Sequence, residues 1–162
     1  MDEKVLALAP LVNKALDELY KNDQYLLEHK VHERSVVFRL AHYLQNLLND
    51  HEVFNDYHLD VEYNRNGYQP KRISKRRNGA RPDIIIHKRG SNQHNLLMIE
   101  IKPYWENNVA DDLEKLKEFT QTQGQYRFCI GLSVILGKHR GSLSVKYVIG
   151  GEEIFNPMFL VR

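Results

Sequence analysis

Apolar residues recur at helical spacing over the first fifty positions and mostly at strand spacing afterwards. Residues 3 to 21 carry Val5, Leu6, Leu8, Leu11, Val12, Ala15 and Leu19, a helix pattern interrupted by Pro10. A proline inside a helix removes a hydrogen bond and crowds the preceding turn, which predicts a kink or a helix that starts near Leu11. A second helix is predicted from Val31 to Asn49, where Val37, Leu40, Ala41, Leu44, Leu47 and Leu48 repeat with the 3.6-residue period. Residues 57 to 63 then alternate apolar and polar, as a half-buried strand does. Two apolar runs around a Gly90-Ser91-Asn92 turn predict a β-hairpin, and Pro103 ends it. An amphipathic helix is expected over 108 to 120, with Val109, Leu113, Leu116 and Phe119 inward and Asp111 and Asp112 favourable in its first turn. Strands over 126 to 136 and 143 to 149 close the pattern. With no repeat, linker or break in composition, one domain over 1–162 is expected. Residues 1–30 would be a helical extension and 31–149 the core. Helices, three strands, a helix and two strands predict an α/β fold, a mixed β-sheet flanked by helices.

The hairpin carries charges where apolar residues are expected. Arg81-Pro82-Asp83-Ile84-Ile85-Ile86 is followed by Met98-Ile99-Glu100-Ile101-Lys102. A turn centred between Ser91 and Asn92 pairs residues whose numbers sum to 183, which sets Asp83 opposite Glu100. Side chains alternate faces, so Ile84, Ile86, Leu97, Ile99 and Ile101 share one apolar face while Asp83, Glu100 and Lys102 share the other. Carboxylates directly across a strand pair repel, and buried charge is costly unless it is paired or bound to a metal. A hard divalent cation such as magnesium, which takes carboxylate oxygens, removes both problems. Glu33 falls on the stripe of Val37, Leu40 and Leu44, at the start of the second helix's buried face. There it could join the other acids, or simply complement the helix dipole or pair with Arg34.

Charge is unevenly spread. Residues 71 to 89 hold eight basic residues against Asp83, a surplus of seven in a chain of net +2, so the remainder is at −5. Lys71, Arg72, Lys75, Arg76, Arg77 and Arg81 form the cluster nearest the carboxylates. Such a patch suits a polyanion, with a solvated loop as the bland alternative. Composition limits the classes: 162 residues, 42% apolar and 27% charged, suit an ordinary globular protein. The single cysteine, Cys129, allows no internal disulfide and fits a small core residue. No apolar run approaches the roughly 20 residues of a membrane helix, and the first residues carry no signal-peptide pattern, so a cytoplasmic location is expected. His87 and His94 flank the hairpin turn without a third zinc ligand and read as solvated turn residues.

Pro82-Asp83, a spacer of 16 residues, then Glu100-Ile101-Lys102 resembles the signature of the PD-(D/E)XK nuclease superfamily. The element order from Val31 to Ile149 is similar to that superfamily's restriction-endonuclease-like αβββαβ core. The resemblance implies that Asp83, Glu100 and the Ile101 main-chain carbonyl bind Mg²⁺ or Mn²⁺. Lys102 would orient or help deprotonate the attacking water, and Glu33 would match an acidic residue of the first core helix. The Gln-x-x-x-Tyr pattern of the RecB-like branch is absent. The implied activity is a metal-dependent endonuclease hydrolysing phosphodiester bonds of DNA, and a homodimer would cut both strands. The alternative is a non-catalytic nucleic-acid-binding protein that keeps the nuclease fold, such as a subunit of a defence or repair complex.

Overall fold

The two N-terminal helical patterns pack on each other and together cover one face of a sheet. In a computed structural model, which describes residues 3–73, 80–106, 108–155 and 161, they form α1 (Glu3–Glu28) and α2 (Glu33–Asn49). The expectation at Pro10 is corrected, because α1 continues through it and its non-helical residue is Asp23 (φ −127°, ψ 19°). Val5, Leu8 and Ala9 before the proline, and Leu11, Val12 and Ala15 after it, are all buried in one core. Packing on both sides therefore outweighs a cost of about 3 kcal/mol for an interior proline. At Asp23 the carboxylate accepts hydrogen bonds from Arg39 Nε at 2.7 Å and Tyr43 OH at 2.5 Å, tying α1 to α2. The N-terminal helix is thus part of the main core.

The strands are β1 (His58–Val61), β2 (Arg65–Asn66), β3 (Gln69–Pro70), β4 (Ile84–His87) and β5 (Asn95–Pro103). After α3 (Val109–Thr120) come β6 (Ile130–Leu136), β7 (Ser144–Ile149) and β8 (Glu152–Ile154). Among the described residues, one sheet runs β1-β4-β5-β6-β7-β8, and β2 and β3 form a separate small hairpin just before the basic segment. Neighbours are antiparallel except β5 and β6, which are parallel and joined through α3. The fold is therefore α/β with a mixed sheet. The strand β8 has no signal in the alternation pattern. It exists because Gly150 (φ 61°) and Gly151 (φ 89°) supply the two left-handed residues that turn the chain back onto β7.

The hairpin register follows the turn. Ile84 pairs Ile99, Ile85 pairs Met98 and Ile86 pairs Leu97, so the paired numbers sum to 183. A bulge then shifts His87 onto Asn95. Ile84, Ile86, Leu97, Ile99 and Ile101 pack against α1 and α2, while Ile85 and Met98 face Leu116 and Phe119 of α3. Among the described residues, no helix is long and apolar enough to cross a membrane.

Candidate active site

The charged residues gather where β4 begins and β5 ends, between the starts of α2 and α3. Asp83 immediately precedes β4, and its Oδ2 accepts the Ile101 backbone N–H at 2.7 Å. A residue within a strand sends its N–H and C=O to the same side, so the Ile101 carbonyl also leaves β5 toward Asp83. Glu100 is almost wholly buried, at 1% exposure, and Lys115 of α3 donates to its Oε2 at 2.5 Å. Lys102 donates to Glu33 Oε2 at 2.9 Å, and its Nζ lies 3.6 Å from Asp112. Lys115 Nζ is 3.8 Å from the same carboxylate. Glu33, Asp83, Glu100, Lys102, Asp112 and Lys115 thus form one cluster of four acids and two ammonium groups.

Burial dominates its electrostatics. Removal from water pushes the Asp83 carboxyl up to about 6; the Ile101 N–H and the charge of Lys115 oppose this, and Glu33 adds to it. Glu100 is driven well above the usual carboxylate range, first by burial and then by the charge of Asp83. The two carboxylates are thus near enough for each to feel the other's charge. Burial pulls the Lys102 ammonium down, but the Glu33 hydrogen bond and the charges of Asp112, Glu33 and Asp83 outweigh it and hold the group above the ordinary lysine range. Lys102 stays charged at neutral pH.

No protein-family model, curated protein or solved structure matches this chain.

The donor set can be tested against a cation on its own chemistry. Glu100 Oε1 and Asp112 Oδ2 are buried and accept no hydrogen bond, which is costly for a carboxylate oxygen. Together with Asp83 they offer the oxygen-only surroundings that hard cations prefer. Among the described residues, however, no three acids, histidines or cysteines converge closely enough to enclose a metal ion. The reason is visible in the ion pairs: Lys102 and Lys115 stand between the carboxylates and neutralise them in part. As it stands the cluster is a network of ion pairs among buried carboxylates and ammonium groups.

Sequence pattern gives Asp111 and Asp112 only as acids favourable to the helix dipole and assigns Lys115 no role. Yet Asp112, Lys115, Leu116 and Phe119 share the buried stripe of α3. The stripe reasoning that marks Glu33 on α2 also reaches Asp112 on α3, whereas Lys115 falls beyond the edge of the apolar stripe of Val109, Leu113, Leu116 and Phe119. Ser133, also buried, sits opposite Glu100 on β6 and had no sequence signal.

The basic cluster divides. Arg72 and Arg81 are exposed, and Arg81 adjoins the acidic cluster through its carbonyl, which accepts from Lys115 at 3.4 Å. Lys75, Arg76 and Arg77 lie outside the described residues. Lys71 is a correction: it is buried at 1% exposure, its Nζ 4.6 Å from the Tyr63 ring centre and 5.8 Å from that of Tyr126. Its aliphatic stem is apolar enough to enter the core, and the aromatic faces offset only part of the lost hydration of the ammonium. Lys88 and Arg89 pair with Asp56 and Asp60 at the far end of the hairpin. The histidine expectation is also corrected for His87, which is buried against Tyr63 with Nε2 2.8 Å from Asp60 Oδ2.

Proposed function

We propose that this protein is a metal-dependent nuclease that hydrolyses phosphodiester bonds of DNA with a metal-activated water. The observation that carries the reading is the buried excess of carboxylate: Glu100 keeps an oxygen without a donor while Asp83 and Asp112 raise its proton affinity. Mutually repelling buried acids do not help folding, and such perturbed groups gather at functional sites. The order α2-β1-β4-β5-α3-β6, with β6 parallel to β5, is consistent with a restriction-endonuclease-like core.

Asp83, Glu100, Glu33 and the Ile101 carbonyl would hold Mg²⁺ or Mn²⁺. When bound, the cation supplies Lewis acidity and lowers the pKa of its water. Asp83 is fixed by the Ile101 N–H, so its free oxygen is pre-aimed. Lys102 brings a charged ammonium beside Asp83 and Glu33, suited to orienting the attacking water and to offsetting charge that develops on the phosphoryl oxygens. Exposed Arg72 and Arg81 are suited to gripping backbone phosphates, which reads no sequence by itself.

A second reading has its own observation. Lys102 and Lys115 already satisfy part of the acidic charge, as in a nucleic-acid-binding protein that retains the fold without catalysis. Plasmid and single-stranded DNA incubated with Mg²⁺ or Mn²⁺ separate the two. Wild type should cleave, and Asp83→Ala and Lys102→Ala should lose about 10²–10⁴-fold in rate while still binding DNA. Binding without cleavage by wild type would favour the second reading and refute the first.

A further inference from the structure

The opposite end of β4 carries a second polar site. A pocket of about 230 Å³ opens there, lined by Tyr63, Lys71, His87, Arg65 and Gly67 of the β2-β3 hairpin, and by the turn around Gly90. Its volume falls below the roughly 300–1,000 Å³ of sites for drug-sized ligands, so it suits a single small group. Lys71 forms its floor. The residue is nearly completely buried, yet among the described residues its Nζ donates to no oxygen and rests only against the rings of Tyr63 and Tyr126. A buried ammonium without an acceptor is costly. Asp60, the acid whose charge it feels, is already used: one oxygen accepts from Arg89 Nε at 2.8 Å and lies 2.8 Å from His87 Nε2, and Arg89 also donates to the other. Burial lowers the Lys71 ammonium to about 8, which leaves it mostly charged at neutral pH.

The rim adds to the same sign. Arg65 contributes a second cation at the mouth. Gly67 (φ 59°) and Gly90 (φ 80°) also line it, and a Cβ on either would meet open space. Among the described residues, no carboxylate lines the pocket. We propose that this pocket binds a phosphate group, with Lys71 and Arg65 as its charged donors. The ligand is defined by its phosphate group; a free nucleotide and a phosphorylated strand end are the two sources that the test separates. The site is separate from the acidic cluster: Asp83 and His87 stand at the two ends of β4, about 13 Å apart at strand rise. Both point to the α3 side of the sheet, as residues an even number apart do. The proposal does not depend on the nuclease reading, because it concerns binding in the absence of any divalent cation.

Inorganic phosphate, titrated into the full chain without metal, tests it, with the His87 ring signals followed by NMR and the heat by calorimetry. Saturable shifts of His87 are expected at or below about 10 mM phosphate. Lys71→Met, which keeps the stem and removes the ammonium, should weaken binding about tenfold or more, as should Arg65→Gln on the exposed rim. Thermal melting verifies that each variant is folded. A 5′-phosphorylated oligonucleotide that binds more tightly than its 5′-hydroxyl counterpart and than a mononucleotide would identify a strand end; a mononucleotide binding equally well would identify a free nucleotide. No His87 response to phosphate, or equal affinity in wild type and Lys71→Met, overturns the proposal.

Discussion

Replacing Lys115 by methionine isolates the cost of the buried acid it serves. Lys115 and Glu100 are 5% and 1% exposed at their side chains, and their ion pair is 2.5 Å long. Without the ammonium, Glu100 has burial and the charge of Asp83 against it and nothing equivalent in its favour. Its proton affinity is already raised beside Lys115; without the ammonium it rises further, and the carboxyl takes up a proton. The penalty is then capped by the work of protonating a glutamate whose unfolded pKa is about 4.3. At pH 7 that is about 2.7 units at 1.36 kcal/mol each, or about 3.7 kcal/mol. At pH 5 it falls to about 1 kcal/mol, because only about 0.7 units remain. The sign follows from linkage: the variant's folded state holds a proton that the unfolded chain releases, so its stability deficit grows as pH rises above about 4.3. Urea unfolding of wild type and Lys115→Met at pH 5 and pH 7, without divalent cations, reads this difference. Melting points should separate by about 7–15 °C at pH 7, at 2–4 °C per kcal/mol for a chain of this size. The double variant Lys115→Met with Glu100→Leu should recover most of the loss, since buried pairs exchange for apolar residues at little net cost. A deficit that is small at pH 7, or equal at both pH values, would mean that Glu100 is already neutral beside Lys115 and would refute the reasoning.

Three further outcomes are expected. Asp83, with its folded carboxyl at about 6 against an ordinary aspartate value of 3.8, loses stability for the fold as pH rises from about 4 to 6; Asp83→Asn should therefore be more stable than wild type at pH 7, by at most about 3 kcal/mol, and flatten that slope in metal-free melts, an unchanged slope counting against it. A Cβ at Gly137 would lie 2.0 Å from Ser142 Oγ and 2.5 Å from the Ser142 carbonyl oxygen, so Gly137→Ala should cost about 1–3 kcal/mol in urea unfolding, and a neutral result would show that the Arg140–Ser142 turn yields. The Tyr126 hydroxyl accepts the Arg72 N–H at 2.6 Å and donates to the Arg72 carbonyl at 2.8 Å; Tyr126→Phe should cost about 1–3 kcal/mol and weaken phosphate binding at Lys71, which a calorimetric titration would reveal.

Most of what positions the acidic cluster could be read from local pattern. The turn at Gly90 and the alternation of Ile84 to Ile86 against Leu97 to Ile101 set the register, because a slip by one residue would turn every apolar side chain outward. Glu33 was legible because helical spacing places it with Val37 and Leu40, although those two are more deeply buried. Three things were not legible, each for a physical reason. The passage of α1 through Pro10 depends on burial against the sheet, which local propensity does not contain. The burial of Lys71 depends on Tyr63 and Tyr126, the latter more than fifty residues distant in the chain. The dispersal of the basic segment depends on Asp56 and Asp60, which lie far from their partners in sequence. A count of charges along a segment records none of these pairings.

The bond from the Ile101 amide to Asp83 Oδ2 gives the site a spectroscopic gauge. Beyond Ile84 the ladder between β4 and β5 gives way, and a side chain takes the place of a backbone rung. The resonance and exchange rate of one amide proton are therefore set by a carboxyl group whose charge changes with pH. A proton or a cation arriving at Asp83 withdraws electron density from the acceptor of that amide. One backbone signal, within an otherwise protected strand, thus reports the state of the cluster without substrate or mutation.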